Sequence, residues 1–235
     1  MRQKSFNIVH AAVALLCVMV IVTIMVVLNS ARTRDRTRMP NSTQLRGIHQ
    51  GMVTFANSNK EFFPGLAPDG SEDTQVLDWR EEGIPLMQAG LSIDQRFAIL
   101  LHGDYFTPEY AISPGENDPN IKPWPGEGTI TTGHYSYAML QIPAEGGRRD
   151  EWKQTLNSQA IVMSDRNTGT LTSPSSIHVD SGDAWAGSVL WNDSHVGFES
   201  TDEFETKYNG GDLNEADRLF PSTDTYNALM IHSGN

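Results

Sequence analysis

The chain has 235 residues, of which 38% are hydrophobic and 20% charged, and its formal net charge is −12. This length and composition suit one folded domain and exclude a wholly disordered chain. The acidic balance excludes non-specific binding to nucleic acid, which requires Lys and Arg to neutralise phosphates. A single cysteine, Cys17, excludes an internal disulfide framework and a cysteine-based zinc cluster.

The charge is distributed unevenly along the chain. Residues 1–38 contain six basic side chains and one acidic side chain, whereas the rest of the chain contains 11 basic and 28 acidic ones. A short basic segment with a charge of +5 therefore precedes an acidic body with a charge of −17. The acidic excess favours solubility of the body and says little about its fold.

An uncharged apolar run lies inside the basic segment. It extends over 21 residues from Ile8 to Leu28, and a helix of this length spans a hydrocarbon core of about 30 Å. The alternative is a secretory signal peptide, whose apolar core is normally about 7–15 residues long and precedes a small-residue cleavage site. We expect a retained transmembrane helix over residues 8–29, after a cytoplasmic segment of residues 1–7.

The charges that flank the apolar run leave its orientation open. Four arginines follow it closely, which by the positive-inside rule favours a cytoplasmic C-terminal side. A body of about 200 residues is nevertheless exported largely regardless of nearby charge.

The helix is predicted to continue beyond the apolar run as a stalk over residues 30–60. Apolar residues recur there on one helical face, and the pattern ends at Asn57-Ser58-Asn59. Because this stripe covers barely two heptads, we expect it to pack on the protein's own domain rather than in a coiled coil. The stripe consists of Leu45, Ile48, Met52, Val53 and Ala56.

Residues 61–235 are predicted to form an α+β domain. A second helix is expected over 93–101 with Ser92 as its N-cap, and residues 109–128 are expected to form a long loop over the sheet. After residue 128, β-rich runs bounded by Gly, Pro or Asp predict an antiparallel sheet. The predicted strands are 129–132, 135–142, 160–163, 187–191 and 195–198, with Asn192-Asp193-Ser194 as the turn of the last hairpin.

Several segments resemble the large pilin-like families of planctomycete-type bacteria, which are related to type IV pilins and type II secretion pseudopilins. The segment Leu45–Leu66, after the arginines and Asn41, resembles the families' motif of a helix that closes with Phe-Pro, here Phe63-Pro64. Three later segments resemble strands or hairpins of these families, in the same order along the chain. They are His134–Ala138, Ile161–Arg166, and Ser188–Val196 with His178 upstream.

The N-terminus resembles the prepilin signal but departs from it at two positions. Residues 4–10 align with the pattern basic–Gly–Phe–Thr–Leu–Ile–Glu, with Ser5 in place of glycine and His10 in place of glutamate. In the family, cleavage follows the glycine and would here precede Phe6, and the glutamate pairs with a neighbouring subunit's N-terminus. The resemblance therefore identifies Ser5, Phe6 and His10 as processing and assembly positions. It also implies that this chain is not an ordinary processed major pilin.

Imidazole and carboxylate groups gather near the end of the chain, and these groups suit a divalent metal. The spacing matches no His-x-His or His-Glu-x-x-His motif, so turn and sheet-edge roles are favoured over a metal site. The acidic segment 210–217 raises calcium as an alternative, since some pseudopilins hold calcium in a C-terminal loop, but it lacks the spacing of an EF-hand. The metal candidates are His178, Asp180, Asp183, Asp193, His195, Asp212 and Asp217.

Motifs of catalysis are absent from the sequence. It contains no Gly-x-Ser-x-Gly elbow, Walker loop or dinucleotide fingerprint, and Cys17 lies inside the apolar run. We therefore expect a protein that is not an enzyme and holds no cofactor. The five tryptophans are expected to anchor the core or loops rather than to form a ligand cage.

The resemblance implies a membrane-anchored pilin-like protein of a type II secretion or type IV pilus-like assembly. Its partners would be the membrane, through residues 8–29, and other pilin-like subunits or secretion-machinery proteins. It would reside in a bacterial inner membrane with its C-terminal domain in the periplasm or outside the cell. Two alternatives remain open, an anchored periplasmic sensor or ligand-binding domain that reuses the fold and an anchored hydrolase, since fold alone does not determine function.

Overall fold

The fold is that of a computed structural model of the chain. The structure describes residues 8–77, 87–170, 173–178, 184–203, 206–208, 211–212, 218–220 and 230–232. Within the first helix, the side chains of residues 8–10 and 26–37 lie outside this description.

The longest element is helix α1, Ile8–Ser58, which contains Pro40. The chain divides within this helix into two compact units, one of residues 1–39 and one of residues 40–235. In the first unit, the described side chains of residues 11–25 are all exposed. Among the described residues, no helix combines the length and the apolar character that crossing a membrane requires.

In the second unit, α1 contributes an apolar stripe to the core. Leu45, Ile48, Met52 and Ala56 are fully buried, and Val53 packs against the same core. Because the stripe shares this core with strand residues, the prediction that it packs on the protein's own domain is confirmed. The helix ends at Ser58, within the polar run Asn57-Ser58-Asn59 that predicts its end.

A close aromatic contact depends on a glycine of α1. A Cβ atom at Gly47 would lie 2.5 Å from Cε1 of Tyr110, so the absence of a side chain allows the Tyr110 ring to lie against the helix. Tyr110 belongs to a 3-10 turn, Pro108–Ala111, at the start of the predicted loop.

The main sheet has five antiparallel strands in the order β6-β5-β4-β3-β9. Strands β3 and β4 are buried along their whole length, so both faces of the sheet centre are covered. The class predicted from the sequence, α+β, is therefore confirmed. The five strands are β3 (Tyr137–Leu140), β4 (Ile161–Asp165), β5 (Gly187–Trp191), β6 (Val196–Glu199) and β9 (Met230–Ile231).

Shorter elements surround this sheet. Helix α2, Ile93–His102, begins at Ser92, whose side chain accepts a hydrogen bond from the Gln95 backbone in a reciprocal capping box, as predicted. Helix α3 is a single turn, Gly147–Asp150. The remaining strands form two small antiparallel pairs, β1 (Val76–Leu77) with β2 (Met87–Gln88) and β7 (Lys207–Tyr208) with β8 (Gly211–Asp212).

The prediction of a strand over 129–132 was wrong. Thr132–His134 is a 3-10 turn, and the His134 side chain accepts a hydrogen bond from the Thr131 backbone. The following strand, β3, already pairs with β4 on one side and β9 on the other. Both edges of β3 are therefore occupied, so β3 offers no free edge with which residues 129–132 could pair.

Candidate functional site

A buried polar cluster joins α1 to strands β4 and β5. The amide nitrogen of Asn41, in α1, donates to the Asp165 carboxylate at 3.0 Å and 2.9 Å and to Ser188 Oγ at 2.9 Å. Asp165 ends β4 and Ser188 lies in β5. Asn41 and Asp165 are fully buried, so this side-chain network is excluded from water.

His178 is a further partner of the Asp165 carboxylate. Its Nε2 lies 2.9 Å from Asp165 Oδ2, which also accepts from the Ser188 backbone N–H at 2.6 Å. A carboxylate oxygen accepts hydrogen bonds, so the donor of this contact is assigned to His178 Nε2. The imidazole also packs edge-on against Phe198, 5.7 Å away between ring centroids. A Cβ at Gly115 would lie 2.9 Å from the other ring nitrogen, so Gly115 leaves room for this ring.

The carbonyl oxygen of Asn41 is satisfied by two hydroxyl groups. Ser113 Oγ donates to it at 3.0 Å, and the Tyr137 hydroxyl donates to it at 2.7 Å. Burial raises the pKa of Tyr137 well above its usual value, so the hydroxyl keeps the proton that it donates. We refer to Asn41, Ser113, Tyr137, Asp165, His178 and Ser188 as the Asn41 cluster.

The chemistry of the Asn41 cluster favours positioning over catalysis. His178 directs Nε2 to a carboxylate, and Ser188 Oγ accepts from an amide. A nucleophile requires a base that takes its proton, and the described contacts of the cluster bring no serine and histidine into that geometry. The cluster therefore holds α1 against strands β4 and β5 through buried hydrogen bonds.

The turn between β5 and β6 is a second polar location. Asp193 Oδ1 and His195 Nδ1 are 2.5 Å apart, and the His195 ring stacks on Trp191 at 4.3 Å. Ser194 has a φ of +71°, in the left-handed region, and its Oγ lies 2.8 Å from Nδ1 of His49 in α1. One residue of the predicted hairpin turn, Ser194, therefore also contacts the helix.

His49 is buried and has one polar partner among the described residues. Its Nε2 has no hydrogen bond there, and its ring meets Phe63 edge-on at 5.6 Å. Burial lowers the pKa of His49 from 6.5 to about 4, while the nearby Asp193 charge opposes the shift. At neutral pH the imidazole is therefore uncharged.

The predicted metal ligands lie at two ends of the β5–β6 hairpin. His178 contacts Asp165 beside the first residues of β5, whereas Asp193 and His195 lie at the turn that follows β5. Asp212 lies in β8, and Asp180, Asp183 and Asp217 lie outside the described residues. Within the described part of the chain, no three His, Cys, Asp or Glu residues form a group that would hold a metal.

The predicted processing and assembly positions remain untested. Ser5 and Phe6 lie outside the described residues, as does most of the acidic segment proposed for calcium. His10 belongs to α1 by its backbone, and its side chain lies outside the description.

Sequence reasoning missed the roles of several buried polar residues. Asn41, Tyr137, Asp165 and His178 belong to segments that carry the pilin-like resemblance, but no pattern in the sequence indicates that they meet. Ser113 had no sequence signal beyond its place before a turn. Arg96 carries a sequence signal of burial, because it falls on the apolar face of α2 defined by Ile93, Phe97 and Leu100.

Comparisons of this chain with protein families, curated proteins and solved structures found no match. The functional argument therefore rests on the residues and contacts described above.

Proposed function

We propose that this chain is a membrane-anchored, pilin-like structural protein whose exported body works by contact with other proteins. Residues 8–29 would hold it in the inner membrane, and the α+β body would lie in the periplasm or outside the cell. Pilin-like subunits or proteins of a type II secretion or type IV pilus-like assembly would be its partners. This assignment includes no catalytic step and no cofactor.

One observation carries the proposal, the exposure of apolar side chains in the first part of α1. Ten large apolar residues between Val13 and Met25 are each more than half exposed. Their positions cover every face of the helix, and a helix that is apolar all round is stable in a protein core or a bilayer. Because these side chains are exposed rather than packed in a core, a bilayer is the surrounding that fits them.

The departures from the prepilin signal support a minor or non-polymerising role. Ser5 adds a β-carbon and a hydroxyl at the position where the family's peptidase meets glycine. His10 supplies no carboxylate to attract a neighbouring subunit's positive terminus, and opposite charges attract far more strongly in a bilayer than in water. We therefore expect the chain to keep Met1 and to form no long filaments by itself.

The membrane anchor is tested by flotation of the full chain with lipid vesicles. The double variant Leu16→Arg, Ile21→Arg places two charges in the apolar run, and each charge costs about 3 kcal/mol at the centre of a membrane helix. We expect the wild-type chain to float with the vesicles and the variant to remain in the soluble fraction. Val76→Arg is the matched control, because Val76 is equally exposed but lies in the body. Flotation of the double variant at the wild-type level contradicts the anchor.

The topology is tested by adding protease to spheroplasts. Digestion of the body with the membrane intact is expected, and protection of the body overturns an exported domain.

Copurification separates the structural role from the sensor alternative. Pilin-like partners in stoichiometric amounts support the assembly role, whereas a bound small ligand without partners supports the sensor alternative.

The N-terminal prediction is tested by mass analysis of the purified chain. A chain that begins at Met1 supports retention of the N-terminus, and one that begins at Phe6 refutes it. Long filaments of this protein alone would refute the non-polymerising role.

A further inference from the structure

Two arginines of the body show how this protein satisfies a partly buried guanidinium. Arg166 donates from Nε and Nη2 to the two oxygens of Glu116, at 2.9 Å and 2.8 Å. Arg149 directs the same two nitrogens to the carbonyl of Gly70, at 3.2 Å and 2.8 Å. In both residues the edge of the guanidinium formed by Nε and Nη2 holds an oxygen acceptor.

At Arg96, the most deeply buried of the three, this edge holds no acceptor from the described part of the chain. Its Nη1 donates to the Leu140 carbonyl at 2.8 Å, but Nε and Nη2 have no partner among the described residues. The residue is fully buried in α2, and its guanidinium carbon lies 4.8 Å from the centre of the Trp152 ring. The ring covers one face of the guanidinium, but it does not supply an acceptor in the plane of the N–H groups.

The position of the Arg96 side chain is constrained by its surroundings. A Cβ at Gly65, which has a φ of +99°, would lie 3.2 Å from Arg96 Cγ and 2.8 Å from the Gly90 carbonyl. The aliphatic stem is thus closely packed between backbone segments. Asp94, the acid on the same helix, directs Oδ1 to the Tyr135 hydroxyl at 2.6 Å. Asp94 therefore directs its hydrogen bond to Tyr135 rather than to the guanidinium of Arg96.

An unpaired buried cation is costly, and the protein retains this one in charged form. Burial lowers the pKa of Arg96 from its usual value to about 9, and Tyr135 acts in the opposite direction. The guanidinium therefore still carries its proton at neutral pH. The transfer of such an ion out of water destabilises the folded state unless an opposite charge and hydrogen bonds compensate.

We propose that the Nε–Nη2 edge of Arg96 is a binding site for one small monovalent anion. The fork of two parallel N–H groups fits a carboxylate or accepts a halide between them. Because Arg96 has no exposed surface, the anion must be small, of the size of chloride or formate. The bound anion neutralises the buried charge and stabilises the packing of α2 on Trp152. This inference is independent of the proposed membrane function.

The site is tested by thermal unfolding of the full chain at constant ionic strength, with sodium gluconate replaced stepwise by sodium chloride or by sodium formate. Gluconate is too large for the site, so only the added small anion stabilises the folded state by mass action. We expect Tm to rise by about 5 °C when the small anion exceeds its dissociation constant about 50-fold. A greater response to formate assigns a carboxylate site, and a greater response to chloride assigns a halide site.

Two matched variants connect the effect to the site. Arg96→Met removes the fork and keeps an unbranched stem, and it is expected to abolish the dependence of Tm on the anion. Arg149→Met removes an arginine whose Nε and Nη2 already have protein acceptors, and it is expected to keep the dependence. Equal responses in the wild-type chain and Arg96→Met overturn the proposal.

A crystal soaked in bromide gives a readout that does not depend on the folding of a variant. We expect anomalous density within hydrogen-bond distance of both Nε and Nη2 of Arg96. An ordered water or a carboxylate of the chain itself at that edge overturns the anion site.

Discussion

Helix α1 is attached to the β5–β6 hairpin by polar side chains at two places that differ in how well their atoms are partnered. At the Asn41 cluster, the amide and carbonyl of Asn41 and both oxygens of Asp165 all have partners. At the second attachment, His49 bonds Ser194 through Nδ1, while its Nε2 has no partner among the described residues. Both are buried on the helix side, so the difference lies in the completeness of the hydrogen bonding.

This difference determines what each attachment contributes to stability. A buried polar network with all partners present is rigid, and the removal of one member leaves several others unsatisfied. A buried group with one bond is coupled to little else, so its loss affects mainly itself. The Asn41 cluster is therefore expected to be sensitive to single substitutions, and the His49 contact is expected to be sensitive to pH.

The largest effect is expected for Asp165→Ala. The substitution leaves His178 Nε2 and the Ser188 N–H without their buried acceptor. Asn41 Nδ2 loses the carboxylate and keeps only Ser188 Oγ as its oxygen acceptor. We expect the free energy of unfolding to fall by about 4 kcal/mol. Denaturant unfolding, followed by the fluorescence of buried Trp152 and Trp185, measures the loss. Asp193→Ala, at the exposed turn, serves as the control and should cost under about 1 kcal/mol; a similar loss in both variants would remove the distinction between the two attachments.

The second largest effect is a pH dependence at His49. The pKa of His49 is about 4 in the folded chain, compared with the ordinary value of 6.5 that applies to the unfolded chain. Between these two pH values the unfolded chain therefore binds more protons than the folded chain. Stability that is present above pH 6.5 is therefore lost as the pH falls towards 4, by about 3 kcal/mol from this group alone.

The control for this pH dependence is His49→Leu, because leucine cannot bind the proton. Unfolding free energies of both chains are measured at intervals between pH 7 and pH 4, and the wild-type profile should fall more steeply than that of the variant as the pH is lowered. Parallel profiles across this range would show that His49 is not the group responsible.

A smaller effect is expected for two substitutions of Ser194. Ser194→Ala removes the bond to His49 Nδ1 and keeps the strained backbone at a φ of +71°, with an expected loss of about 2 kcal/mol. Ser194→Gly removes the same bond but relieves the strain, so its expected loss is about 1 kcal/mol. Thermal unfolding of both variants compares them directly. If glycine is the more destabilising of the two, the strain at this position is not a feature of the folded protein.

The smallest effect is expected for His195→Ala. The contact between His195 and Asp193 lies at a solvent-accessible turn, and polar contacts exposed to water contribute little to stability. The loss of stacking on Trp191 adds a minor contribution, for an expected total of about 0.5 kcal/mol. Denaturant midpoints of the variant and the wild-type chain provide the measurement, and a loss above about 2 kcal/mol would place the turn on a par with the Asn41 cluster.

Local patterns in the sequence predicted most of the regular structure. The stripe from Leu45 to Ala56, the Ser92 cap and strand β5 depend on residues within one or two turns of each other or on the alternation of one strand. The prediction over 129–132 failed because the free edge of a sheet is not visible in a local pattern. The relation of these elements to a pilin-like fold stays a prediction.

The sequence by itself determined where α1 carries apolar residues, where α1 ends, where α2 begins and where the last hairpin turns, because these features depend on neighbouring residues. Only the tertiary structure decided which polar groups meet. Asn41 lies 124 residues from Asp165 and 147 residues from Ser188 along the chain. Whether the Nε–Nη2 edge of Arg96 meets an acceptor among the described residues likewise depends on what surrounds it in space. Such contacts depend on the packing of distant segments, and a buried polar atom acquires or lacks a partner only when that packing forms.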